Sequence, residues 1–236
     1  MFLNRILFLF LSFASLIQGQ DSIRVDFRML SLSGPLEDLA VLSPAGLVDV
    51  NVPSYDRSDV FTYKGSSRMR FVRKGDVSTD GSIAQVLFEA QMPADVLHPL
   101  IIVTPAPQES SFRYHAIVLA DGLQDLPGGS SYFINASPYP IAMLFDQKDE
   151  PIKMMPKGIV KRSFEEGAHN IRVQVASYAE GEIRMGLDSR IYPMPVHRDI
   201  YFIYARQGAN AGRLGIRRMR EHENSAARYF REAAQQ

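Results

Sequence analysis

Histidine is the side chain best suited to proton transfer or metal ligation near neutral pH. This chain has five, His98, His115, His169, His197 and His222, and no two stand two, three or four residues apart. A two-histidine chelate on one strand or helix face needs such a spacing, so local sequence builds none. Glu165-Glu166-Gly167-Ala168-His169 puts carboxylates near an imidazole, but its composition is that of a polar hairpin turn. His115 shares a strand face with Ile117 and Leu119, the setting of a partly buried, hydrogen-bonded histidine. Pro127-Gly128-Gly129-Ser130-Ser131 comes nearest to a hydrolase nucleophile turn. It lacks the Gly-x-Ser-x-Gly spacing and the strand–turn–helix context, and no helix N-terminus follows to hold a phosphate. Its glycines are expected to supply the positive φ of a turn.

Glycoside hydrolysis needs two carboxyl groups about 5–10 Å apart. Asp121 with Asp125, Asp146 with Asp149, and Glu165 with Glu166 could supply them, but all lie in turn-like sequence and none is singled out. The chain has no cysteine, which excludes thiol nucleophiles, cysteine-ligated zinc, iron–sulfur clusters and covalently attached haem. It has no tryptophan and ten tyrosines. A glycan-binding face would therefore rest on Tyr132, Tyr139, Tyr178, Tyr192, Tyr201 and Tyr204. Asn135-Ala136-Ser137 fits a glycosylation sequon, which the following Pro138 disfavours. The expectation is no catalytic, cofactor-binding or metal-ligating residue, and no cofactor.

The elements that would position these groups read as strands. Ile23–Met29 alternates apolar and polar residues with period two, as a half-buried strand does. Ala40–Leu42, Leu47–Val52, Val60–Tyr63, Met69–Val72, Ala84–Gln91 and Leu100–Thr104 follow, separated by Gly, Pro, Asp and Ser. Phe112–Leu119, Ser131–Asn135, Ile141–Phe145, Ile152–Met154, Ile159–Ser163, Ile171–Tyr178, Glu182–Leu187 and Asp199–Tyr204 continue the rhythm. Turn signals roughly every ten residues predict an all-β antiparallel sandwich, Ig-like or jelly-roll-like. Asp199–Tyr204 is apolar on both faces and should lie centrally, covered on both sides.

Residues 1–19 have the parts of a secretory signal: Arg5, an apolar run from Ile6 to Ile17, and Gly19 before polar sequence. The run is shorter than the ~20 residues a spanning helix requires. An exported chain, periplasmic or extracellular, is expected, with no membrane span after cleavage. Residues 20–205 should form the β-sandwich. Thr104-Pro-Ala-Pro-Gln-Glu-Ser-Ser is the candidate boundary if two halves meet near 104–111. Neither half reads as a copy of the other, so one compact unit is favoured. Residues 206–236 form a basic tail or short helix, with seven arginines against three glutamates. Without Arg5, the part before Arg206 holds 18 basic against 23 acidic groups. Met219, Ala226, Phe230 and Ala233 fall near one helical face, with Gly208, Gly212 and Gly215 as a flexible lead-in.

From Phe112-Arg-Tyr-His-Ala-Ile-Val-Leu-Ala-Asp through Pro127-Gly-Gly-Ser-Ser-Tyr-Phe-Ile-Asn-Ala-Ser, the sequence resembles a loose group of exported bacterial β-sandwich proteins. The shared features are a strand, an acidic turn, and a Gly-containing turn before an aromatic strand, here Tyr132-Phe-Ile-Asn. The resemblance implies an envelope or secreted protein and carries over no active-site residue. The function expected is that of a non-enzymatic exported binding or assembly protein of the cell envelope. Its partner would be a protein or glycan, with the basic C-terminus as docking element. A secreted hydrolase assembled from separated loops and a carbohydrate-binding module are the alternatives. Nucleic acid is not expected, because the basic groups lie on the tail without interleaved aromatics.

Overall fold

A computed structural model describes residues 22–78, 81–146, 150–165, 170–179, 182–206 and 213–233. The expected signal, Asp149, Glu166 to His169, and Gly208 and Gly212 lie outside the described residues. The first strands are β1 (Ser22–Ser31), β2 (Leu36–Ser43), β3 (Gly46–Val52), β4 (Phe61–Ser66), β5 (Arg68–Arg73), β6 (Phe88–Gln91), β7 (Pro99–Pro105) and β8 (Tyr114–Ala120). The later ones are β9 (Ser130–Asn135), β10 (Ile141–Phe145), β11 (Ile152–Met154), β12 (Ile159–Ser163), β13 (Ile171–Ala179), β14 (Glu182–Ile191), β15 (His197–Ala205) and β16 (Leu214–His222). A single α-helix among the described residues, α1 (Glu223–Ala233), follows them, and a 3-10 turn at Lys74–Asp76 follows β5.

The strands pair into four sheets: β4-β1-β7-β8 and β3-β2-β5-β6 from the first half, β12-β9-β15-β16 and β11-β10-β13-β14 from the second. Raising each label of the first half by eight gives the second half. The parallel pairing repeats as well, β1 with β7 and β9 with β15. So does the register at its end, where Ser31 lies opposite Val103 and Asn135 opposite Ile203. The backbone continues alike in both: Leu32 N–H donates to Val103 O at 2.9 Å and Ala136 N–H to Ile203 O at 2.8 Å. The chain is two like sandwiches in series.

Each half has its own core. Phe27, Met29, Phe71, Phe88 and Ile101 fill the first, with Phe71 stacked on Phe88 at 4.4 Å. Phe133, Phe145, Val173 and Tyr201 fill the second. A third core joins the halves, where Leu30, Leu100 and Ile102 meet Ile134, Ile200 and Phe202. The doubly apolar β15 is placed as its sequence predicts: Tyr201 and Ile203 enter the second core, Ile200 and Phe202 the joint one. Each such side chain fully removed from water stabilises the fold by about 1.5–3 kcal/mol.

Three expectations about organisation need correction. The halves, which do not read as copies, share one strand order and have a core each, so the single sandwich favoured from sequence is two joined ones. The proline-rich segment near 104–111 is the turn of the β7–β8 hairpin, with Pro105 opposite Tyr114. The halves instead meet across residues 121–129, between β8 and β9. A stiff connector sequence suits a hairpin loop as well as a linker, so composition did not discriminate. The sandwich also runs past 205. Leu214–His222 pairs along all nine residues with β15, and the helix begins at Glu223, so Met219 of the expected helical face lies on a strand. Arginine, methionine and glutamate are good helix formers, but pairing against a buried neighbour strand overrides that preference. Gly215 is no flexible lead-in. A Cβ there would stand 2.6 Å from the Tyr204 ring, so glycine opens room for the aromatic side chain opposite it.

Candidate functional site

Where the halves join, five charged side chains converge. Asp121 follows β8, Arg28 lies on β1, Arg57 lies between β3 and β4, Arg198 is on β15 and Glu221 on β16. Arg28 binds Asp121 and Glu221, each at 2.6 Å. Arg57 grips Asp121 with two nitrogens, at 2.8 and 3.0 Å. Arg198 contacts the same carboxylate, reaches Glu221 at 2.9 Å, and donates to the carbonyls of Asp121 and Leu126 at 2.7 and 3.2 Å. The register gives Asp121 and Glu221 corresponding places, facing His98 and Arg198 in their respective hairpins. Helix α1 covers the cluster: Phe230 lies over the Arg28 guanidinium at 5.1 Å and stacks on His98 at 4.4 Å. Burial pushes the Asp121 carboxyl up, but Arg57, Arg198 and Arg28 together outweigh it and hold it far below the ordinary carboxylate range. A carboxylate locked in its ionised form and sealed from solvent cannot work as a general acid or base near neutral pH. The cluster is a clamp between the halves.

A cleft of about 570 Å³ opens at another part of the same joint. Tyr55, His115 and Thr104 line it from the first half, and Lys157, Phe202 and Tyr204 from the second. Four prolines complete its walls, and no carboxylate is among its lining residues. Burial lowers the His115 imidazole pKa, and the neighbouring Lys157 charge lowers it further. The Asn135 side chain braces one wall, donating to the carbonyls of Tyr139 at 2.8 Å and Met154 at 3.2 Å while accepting from Ser137 Oγ at 2.7 Å. Asn135 is fully buried and so occupied, and the sequon it begins is closed to glycosylation in the folded chain.

The backbone around this cleft is unusual. Among the described residues five non-glycine residues have positive φ: Asp38, Tyr55, Asp146, Lys157 and Asn170. Aspartate and asparagine tolerate that conformation; for tyrosine and lysine it costs about 1–3 kcal/mol. Both of those residues line the cleft. They also hold corresponding places, each in the connection between third and fourth strands of its half. Tyr55 N–H donates to Ser31 O at 2.9 Å, and Lys157 N–H to Asn135 O at 2.8 Å. Lys157 follows Pro156 in a turn closed by Gly158 N–H on Met155 O at 2.8 Å. That is the second central position of a type II turn, where glycine is the ordinary choice.

The outer face of the second half is a third distinctive surface. Across β13 and β14, Arg172 and Gln174 stand opposite Arg190 and Asp188, whereas Ala176 and Tyr178 stand opposite Met185 and Ile183. The first group forms a solvated network centred on the Arg172–Asp188 pair. The second is bare: Ile183 is 78% exposed, Met155 67% and Met185 63%. Beside it lies an apolar cleft of about 360 Å³, lined by Pro140, Ala142, Met155, Tyr178 and Ile183, with Lys153 at its edge. In the first half β5 and β6 pair only over the counterpart of the solvated end, where Arg68 and Arg70 lie 3.8 and 3.7 Å from Glu89; beyond it, towards the place of the bare patch, Lys74 lies 3.1 Å from Asp49.

Gly129 takes the positive φ of its turn, at 75°. At Gly128 any Cβ would stand 2.3 Å from Pro195 O, so the glycine pair has a steric origin, and Ser130 and Ser131 are buried. Asp146 accepts from Arg172 N–H at 2.8 Å. Of the six tyrosines considered for glycans, Tyr178 and Tyr192 are exposed while Tyr132 and Tyr201 are buried. His197 and His222 meet across β15 and β16 with ring centroids 5.1 Å apart, a pair that local spacing could not reveal because it is made by strand register. Among the described residues no third metal-ligating group joins them. No family model and no curated protein matches the chain.

Proposed function

We propose that the chain is a non-enzymatic exported binding or assembly protein of the cell envelope, docking an apolar segment of a protein partner on the outer face of its second half. One observation carries this reading. The same architecture occurs twice in the chain, and in the second half the outer face carries, beside its charged network, a bare apolar patch at the end where the first half has the Lys74–Asp49 pair. The fold itself therefore does not require Ile183, Met185, Tyr178 and Met155 at those places. A contiguous exposed apolar patch with a polar flank is the composition of an interaction surface. A cleft of about 360 Å³ accepts one or two inserted apolar side chains, the anchor pattern of protein interfaces. The flanking Arg172, Asp188 and Arg190 supply the polar rim.

The basic C-terminal segment is a poor free docking element, since β16 is paired along its whole length with β15 and α1 lies against Arg28 and His98. The test is the double substitution Ile183→Asp and Met185→Asp. Both side chains are exposed, so thermal stability should stay within a degree or two of wild type. In an extract of its source envelope the wild type should elute as a complex and the variant as free protein. Equal elution of the two as complexes, at unchanged stability, contradicts the assignment.

A further inference from the structure

The cleft between the halves is separate from that outer face, and its chemistry is different. Its two most strained backbone positions are occupied by the two side chains, Tyr55 and Lys157, that local conformation disfavours. A position that breaks local preference at a bulky or charged residue needs a reason beyond the turn itself. The two come from corresponding connections in the two halves and converge on one cavity. Tyr55 is further fixed by the Arg217 guanidinium, which lies 3.5 Å over its ring. Gly215 leaves room for the Tyr204 ring. The walls thus offer flat apolar faces, and among the hydroxyls of Thr104, Ser137 and the tyrosines stand an ammonium and an imidazole with no lining carboxylate to neutralise them.

We infer that this cleft is a binding site for a small aromatic carboxylate. Its anionic group is held by Lys157 Nζ and a His115 N–H, and its ring is seated among Tyr55, Phe202 and Tyr204. A cavity of about 570 Å³ lies within the range of small-molecule sites. One lysine and one imidazole match a monoanion, while a phosphate dianion is ordinarily met by more cations or by a bidentate arginine.

The test is titration of benzoate into the full-length folded protein, followed by amide chemical shifts. Benzyl alcohol serves as the neutral counterpart and inorganic phosphate as the small anion. Two variants isolate the side chains without endangering the fold, because each relieves a strained position: Lys157→Gly and Tyr55→Asn. Wild type should show saturable shifts confined to residues lining the cleft, with benzoate binding at least about tenfold tighter than benzyl alcohol or phosphate. Lys157→Gly should weaken benzoate about tenfold or more, and Tyr55→Asn should also weaken it, while both variants melt at or above the wild-type temperature. No saturable binding to wild type overturns the proposal. So does equal affinity for benzyl alcohol, a preference for phosphate, or unaltered benzoate binding by Lys157→Gly. A variant that melts well below wild type would show the residue to be structural and would overturn its assigned role.

Discussion

Asp121 is the residue on which the joint between the halves turns. Three guanidiniums converge on a single carboxylate that is 1% exposed. Replacing Asp121 by Asn leaves three buried cations with Glu221 as their only counter-charge in the cluster. Removing one partner of a buried ion pair costs about 3–5 kcal/mol, and chemical denaturation of Asp121→Asn should show a loss of that size. The carboxyl is held down in the folded state, so its stabilisation is fully present above the unfolded pKa of about 3.9. It is lost as pH falls from there toward the lower folded value. Wild-type stability should therefore drop steeply below about pH 4, and the variant should show a shallower drop over the same range. This cluster was illegible in the sequence. Asp121 stood there as one of several loop acids, and Arg28, Arg57, Arg198 and Glu221 are scattered over nearly the whole chain. Only strand register and the apposition of the halves bring them together.

At the scale of elements, nearly every strand was readable, because period-two alternation and turn residues are local signals. The exception is β16. Its run Arg217-Arg218-Met219-Arg220-Glu221 has the composition of a helix, and only the buried β15 beside it makes it a strand. That difference has a consequence for the C-terminus. Truncation after Gly215 removes most of β16 together with Met219 of the joint core and Glu221 of the clamp. Such a chain should fail to give a cooperative unfolding transition by circular dichroism. Truncation after His222, which removes only α1 and its cover over Arg28, should still fold with reduced stability. A C-terminus acting as a detachable tail would instead leave both truncations as stable as wild type.

The whole molecule is a repeated architecture with unlike surfaces. The repeat was invisible in the sequence because it conserves place and polarity rather than identity. Met29 corresponds to Phe133, Ile101 to Tyr201 and Ile102 to Phe202, in the same register and entering corresponding cores. The exposed residues are released from packing and diverge most, so the two outer faces share a charged end and the second adds an apolar patch at its other end. That contrast between halves is what directs attention to Ile183, and it supplies an internal control. A photo-activated cross-linking residue placed at Ile183, and separately at Arg70 on the corresponding outer face of the first half, reads both surfaces in the source cells. One discrete protein adduct is expected at 183, abolished by Met185→Asp, and no such adduct at 70. Equal adducts at both positions, or none at 183, would contradict docking on that face.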